Sequence, residues 1–303
     1  MSEPDSKALI HPRYWPAWAS MGLMRLSVLM PLPMLQATGR LLGRIACRTL
    51  SRRRRIAERN IARCFPELDG PTQAALVRQT FEAAGMGLLE TALTWWGSDR
   101  RFRNIAAIDG LEHLDAAREK GKGVILLSCH FTCLEICLRA LLSERPFHPM
   151  YRAHENPVIE RFMRRSRTRL SENPIPKDDV RALIRSLKAK KVVWYAPDQA
   201  YRGKMSAMVP FFGHDAATNL ATSRIAAMTG APVVPLFFRR SDGLQPFRIE
   251  LMPPLDNFPG DDPAADAERI NRVFEDAIRE TPGQYLWIHR RFKSLDDGVS
   301  FYE

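Results

Sequence analysis

The chain has 303 residues, room for one large domain or two small ones. Hydrophobic residues make up 45% and charged residues 26%, proportions that exclude a disordered chain and a multi-span membrane protein. Lys and Arg number 45 against 34 Asp and Glu, and the net charge of +11 favours a polyanionic partner: nucleic acid, anionic headgroups or a phosphorylated substrate.

The first residues, with Glu3, Pro4 and Asp5, lack the basic start of a signal peptide. Residues 15–35 are apolar and nearly as long as the roughly 20 residues that span a bilayer. Three residues argue against a span: Arg25 near the middle, and Pro31 and Pro33, which break a helix. A basic segment follows, with Arg40, Arg44, Arg48, Arg52 to Arg55, Arg59 and Arg63 interleaved with Ile45, Leu50, Ile56 and Ile61. Apolar anchor then basic amphipathic helix reads as attachment to an anionic leaflet from the cytoplasmic side. The other reading is a buried N-terminal helix beside a solvated charge run. Residues 1–64 are therefore set apart as anchor and amphipathic helix, and residues 65–303 as one catalytic domain.

Residues 71–96 keep helical spacing, with Pro71 suited to the first turn. Val124-Ile125-Leu126-Leu127 is a short continuous apolar run, as expected of a strand buried on both faces of a parallel sheet. Val192 to Tyr195 and Val233 to Phe238 repeat the pattern. Helices are predicted over 157–170, 179–189 and 219–229, the last with Thr218 as N-cap and Gly230 past its end. Residues 247–251 alternate like an edge strand, 262–280 read as a long helix, and 285–288 as a last short strand. The alternation predicts an α/β fold: a mixed, largely parallel central sheet flanked by helices, behind a membrane-associated helical N-terminus.

Ligands gather at the carboxyl ends of strands in such sheets. Two apolar runs end in polar residues there, Ser128-Cys129-His130 and Ala196-Pro197-Asp198-Gln199. His130 and Glu135 are five residues apart, about 140° around a regular helix, so they meet only if His130 lies in the loop before the helix. A carboxylate on one ring nitrogen would leave the other free to take a proton. The alternative is a histidine at a helix start with a surface glutamate. Cys129, Cys133 and Cys137 fall near one helix face beside His130, but zinc sites draw ligand pairs from short knuckles at wider separation. Buried free thiols are the preferred reading, with no metal. Arg161, Arg165 and Arg169 share a helix face, which is either solvated or turned to phosphate.

Several runs carry a family resemblance, in order along almost the whole chain: His130-Phe131-x3-Glu135, Tyr151-Arg152 with Asn156-Pro157, Arg165-Ser166-Arg167, Val193 to Gln199, Val209 to Gly213, Ala216-Ala217-Thr218 and Tyr285 to Lys293. With them the chain resembles the lipid A biosynthesis lauroyl/myristoyl acyltransferases, within the lysophospholipid acyltransferase group and its H-x4-D/E motif. The resemblance implies an acyltransferase that moves a fatty acyl chain from acyl carrier protein to a hydroxyl on an acyl chain of a lipid A precursor. It places this reaction at the cytoplasmic face of a Gram-negative inner membrane, in contact with its lipids. No cofactor is implied beyond the acyl carrier protein thioester, and no nucleic acid. It also implies that His130 deprotonates the acceptor, Glu135 orients His130, and Arg167 holds an oxyanion or substrate phosphate. Arg152, Asn156, Arg165 and Asp198 are further substrate-binding candidates, Asn156 and Asp198 with structural alternatives. Ser166 stands where relatives often have Gly, and Ala200 where an Asp often stands. Another membrane-lipid acceptor, such as a glycerophospholipid or an ornithine lipid, is the alternative.

Overall fold

The computed structural model describes residues 8–171, 173–293 and 301–302; Glu3, Pro4 and Asp5 lie outside them. Four helices come first: α1 (Trp15–Ser27), α2 (Leu32–Thr49), α3 (Ser51–Cys64) and α4 (Gly70–Trp96). Pro31 and Pro33 bring about the break between α1 and α2, with Pro33 in the first turn of α2, where a missing N–H costs nothing. The Arg101 guanidinium donates to the carbonyls of Val28 and Met30 across that break. Among the described residues no helix is long and apolar enough to cross a membrane.

Helix α2 is packed tightly onto α4. A Cβ added at Gly43 would lie 2.2 Å from the Phe81 carbonyl oxygen, and one at Gly85 2.2 Å from that of Gly39. Only glycine lets the two backbones approach so closely. Leu35 of α2 and Ala57 and Ile61 of α3 belong to the same core as the sheet residues Leu126 and Val193. The change in composition near residue 64 thus coincides with no gap in packing. A smaller cluster joins Met21 and Met24 of α1 to Trp95 of α4 and to Val158 and Met163 farther along the chain.

The main sheet has seven strands in the order β1 (Ala106–Asp109), β9 (Phe247–Leu251), β8 (Val233–Arg240), β2 (Val124–Leu127), β5 (Val192–Tyr195), β3 (His148–Tyr151), β4 (Ile175–Pro176). Every pairing is parallel except β8 with β9. All four residues of β2 and of β5 are buried, which explains their uninterrupted apolar sequence. Burying one such Val, Ile or Leu side chain contributes roughly 1.5–3 kcal/mol before entropy is counted. Helices α5 (Leu111–Glu119), α6 (Leu134–Glu144), α7 (Pro157–Leu170), α8 (Val180–Lys188), α9 (Ala221–Thr229) and α10 (Pro263–Glu280) complete the chain. Asp69, Asn156, Asp179 and Asp262 accept backbone N–H bonds at the starts of α4, α7, α8 and α10.

Some local expectations are corrected. Strand β9 is interior, because β1 pairs along its free side. Thr218 does not cap α9; it lies in β7 (His214–Asn219), which forms a hairpin with β6 (Ser206–Phe211), and Asn219 accepts from the Ala221 N–H instead. The hairpin turns through Phe212 and Gly213, both at positive φ. Residues 285–288 make no strand: a 3-10 turn over Pro282–Gln284 leads to a single bridge between Tyr285 and Phe131.

Candidate active site

The site follows from the register of β2 against β5. Leu127 is opposite Tyr195, and the Ser128 N–H donates to the Tyr195 carbonyl at 3.0 Å. His130 and Asp198 lie at equal distances beyond these partners, at the shared carboxyl end of two adjacent strands. His130 Nδ1 and Asp198 Oδ1 are 2.5 Å apart. The second carboxylate oxygen accepts the His130 backbone N–H and the Tyr285 hydroxyl, each at 2.9 Å. The C-terminal segment closes the loop from its other side, the Leu286 N–H donating to the His130 carbonyl at 3.0 Å.

Burial differs sharply across this pair. The Asp198 side chain is 1% exposed and the His130 side chain 30%. With Nδ1–H committed to Asp198, neutral His130 carries its lone pair on Nε2. Burial disfavours the charged imidazole, but the Asp198 carboxylate outweighs it and raises the His130 pKa above the ordinary value. Burial likewise works against ionised Asp198, and His130 with its other donors nonetheless holds the carboxyl below the usual range. Tyr285 is pushed up by burial and by Asp198, so its hydroxyl keeps the proton that it donates.

Glu135 is placed differently from its expected role. It lies in the first turn of α6, and its Oε1 accepts from Arg167 Nη2 at 2.6 Å. The carboxylate bonded to the His130 ring is Asp198, not Glu135. The reason is geometric: His130 is off the helix, in a loop turned toward the end of β5, while Glu135 faces α7. Its charge still acts on His130, in the direction that favours the imidazolium. The Arg167 guanidinium sits over the Tyr151 ring at 4.9 Å, and its Nη1 is buried without a hydrogen-bond partner among the described residues. That leaves the Nη1 amino group as a donor beyond the Glu135 pair.

The remaining candidates separate clearly. Asn156 caps α7, accepting from Val158 N–H at 3.0 Å and Ile159 N–H at 3.4 Å, a structural use. Arg152 pairs with Glu155 at the surface. Arg165 is exposed on α7, as are Arg161 and Arg169. Cys129, Cys133 and Cys137 are buried in the core cluster, and among the described residues no group of three or more His, Cys, Asp or Glu is placed to hold a metal. Tyr285 received no role from the sequence; its signal was its place in the Tyr285 to Lys293 run.

A family profile described as bacterial lipid A biosynthesis acyltransferase matches residues 3–294. The chain belongs to this family. It is 37% identical over 295 residues to the lipid A biosynthesis lauroyltransferase of Escherichia coli K12, covering 97% of this chain and 96% of the relative. It is 33% identical to the palmitoleoyltransferase of that strain, over 97% and 96% of the two chains, and 28% identical to the myristoyltransferase, over 96% and 91%. The crystal structure of a 1-acyl-sn-glycerophosphate acyltransferase from Thermotoga maritima overlaps 82% of this chain and 97% of its own, with 15% identity and a TM-score of 0.39.

Proposed function

We propose that the protein is a lipid A acyltransferase that moves a fatty acyl chain from the thioester of acyl carrier protein to a hydroxyl on an acyl chain of a lipid A precursor. The observation that carries the chemistry is the His130–Asp198 pair, which occupies Nδ1 and leaves Nε2 to take the acceptor's proton. The acceptor oxygen then attacks the thioester carbonyl, the oxyanion collapses, and the carrier's thiolate departs with the proton held by His130. The Nη1 of Arg167, without a hydrogen-bond partner among the described residues, fits a donor to that oxyanion or to a substrate phosphate. A cavity of about 250 Å³ has Phe131, Pro235, Phe237, Leu255, Val273 and Ala277 in its lining together with the charged Arg239, Arg248, Glu250, Asp276 and Glu280, and its apolar part suits an acyl chain.

The N-terminal helices support a place at the cytoplasmic face of the inner membrane. Trp15, Leu23, Leu26, Leu29, Met34, Leu41 and Ile45 are exposed along α1, α2 and the turn between them, close in sequence to exposed Arg40, Arg44, Arg52 and Arg55. Apolar side chains beside arginines are what an anionic leaflet selects. The reading is tested by mass spectrometry of lipid A from a deletion strain carrying the wild-type gene or His130→Ala. The wild type restores one acyl chain and the variant leaves lipid A one chain short. An unchanged lipid A with a deacylated glycerophospholipid or ornithine lipid would move the activity to another acceptor.

A further inference from the structure

A second buried charge pair lies behind the catalytic loop, outside the site described above. Arg240, the last residue of β8, donates from Nε to Glu90 Oε1 at 2.9 Å and from Nη2 to Glu90 Oε2 at 2.7 Å. Its Nη2 also reaches the Ala83 carbonyl at 3.1 Å, and its Nη1 reaches the Thr132 hydroxyl at 2.8 Å. The Glu90 side chain is 1% exposed and that of Arg240 10%. Gln284 grips the Arg240 backbone from both sides, its Oε1 accepting the N–H and its amide donating to the carbonyl. The same Gln284 accepts the Thr132 N–H on its own carbonyl at 2.9 Å. Thr132, between His130 and Glu135, is thus bonded by hydroxyl and by backbone to one assembly. Helix α4 also presses on this loop: a Cβ at Gly87 would stand 2.1 Å from the Thr132 carbonyl oxygen.

A buried ion pair is a poor source of stability, since desolvating both charges cancels most of their attraction. Here Nη1 is directed at the catalytic loop, while Nε and Nη2 are occupied by Glu90 and the Ala83 carbonyl and hold that direction. Glu90 Oε1 additionally accepts from Gln36 of α2 at 3.0 Å, which ties the N-terminal helical layer to the same carboxylate. We infer that Glu90 and Arg240 are positioning residues for acyl transfer: through the Thr132 hydroxyl they hold the loop that sets His130 in register with Asp198. The inference rests on His130 being the base.

The test uses full-length protein in detergent, with lauroyl-acyl carrier protein as donor and a lipid A precursor as acceptor. Thr132→Val removes the hydroxyl and keeps the shape, while the Glu90–Arg240 pair stays intact. Expected is a fall in kcat of about tenfold with KM within about twofold of wild type, the size of one lost charge-assisted bond. Thr132→Ser should recover wild-type kcat to within about twofold. Thr132→Ser should melt with the wild type, and Thr132→Val lower by no more than the roughly 5 °C that one lost charge-assisted bond costs. Wild-type kcat in Thr132→Val, or a Thr132→Ser variant as slow as Thr132→Val, overturns the positioning role. A kcat loss that vanishes once the assay is run well below the variant's melting temperature overturns it too. His130→Ala, run alongside, separates the two levels: activity in that variant refutes the base itself, whereas an inactive His130→Ala beside a fully active Thr132→Val refutes only the positioning.

Discussion

Asp198 and Glu135 are both carboxylates acting on one imidazole, in contrasting surroundings. Asp198 stands past the end of a central strand, 1% exposed, and takes the His130 ring, the His130 backbone and the Tyr285 hydroxyl. Glu135 stands on the first turn of a helix, 28% exposed, and its strong bond goes to Arg167. A carboxylate enclosed by donors fixes a tautomer and an orientation; a partly exposed one paired with an arginine fixes the direction of that arginine instead. The H-x4-E spacing therefore spans two neighbouring pairs, His130 with Asp198 on one side and Glu135 with Arg167 on the other, and in the proposed function the first supplies the base and the second holds the anion.

Substitutions can break this division. Asp198→Asn should have the largest effect, a fall in kcat of roughly 10²–10⁴-fold, because an amide no longer enforces the Nδ1–H tautomer. Its stability cost has a direction as well. Asp198 is held below its unfolded pKa and His130 above, so their attraction stabilises above the depressed carboxyl value and is lost as pH rises through the raised imidazole value. The melting temperature of Asp198→Asn should therefore fall short of wild type most at mildly acidic pH and least under alkaline conditions, which a thermal melt series across pH reads directly.

Glu135→Gln should keep the fold and lower turnover by about 10–100-fold, through a loosened Arg167 rather than a misplaced base. Wild-type turnover in that variant would remove Glu135 and its arginine from the reaction. Tyr285→Phe should be mildest: it removes one of three donors to Asp198, for a loss of about three- to tenfold measured under saturating substrate. A Tyr285→Phe loss as large as that of Asp198→Asn would mean that the tyrosine touches the reacting atoms.

The sequence disclosed the parts of this picture that depend on local chemistry. Val124 to Leu127 and Val192 to Tyr195 are short apolar runs ending in polar residues, and both proved to be central strands with site residues just past their ends. Helices with an Asx cap and an amphipathic face, such as α7 and α10, were readable almost to the residue. Strands β1, β3 and β4 are not legible: β1 is only partly buried and so has no continuous apolar run, β3 contains Pro149, and β4 is two residues long. The β6–β7 hairpin escaped because Pro210 sits in one strand and Phe212, an unusual residue for positive φ, in its turn. Choosing between Asp198 and Glu135 as the histidine's partner depends on a contact 68 positions apart, which neither periodicity nor spacing encodes. The pairing of Arg167 with Glu135 depends on α6 and α7 lying side by side, which the spacing of the two residues in the chain does not encode.

The most direct measurement is the pH dependence of kcat/KM for wild type, Asp198→Asn and Glu135→Gln. His130 must be neutral to act as base, and its pKa is raised, so the acidic limb of the wild-type profile should lie above the ordinary histidine value of about 6.5. His289, which burial lowers to about 4, does not titrate in that window. Asp198→Asn should move the limb to lower pH by clearly more than Glu135→Gln does. A limb that shifts with Glu135→Gln and stays fixed with Asp198→Asn would make Glu135 the partner of His130 and contradict the division of labour between the two carboxylates.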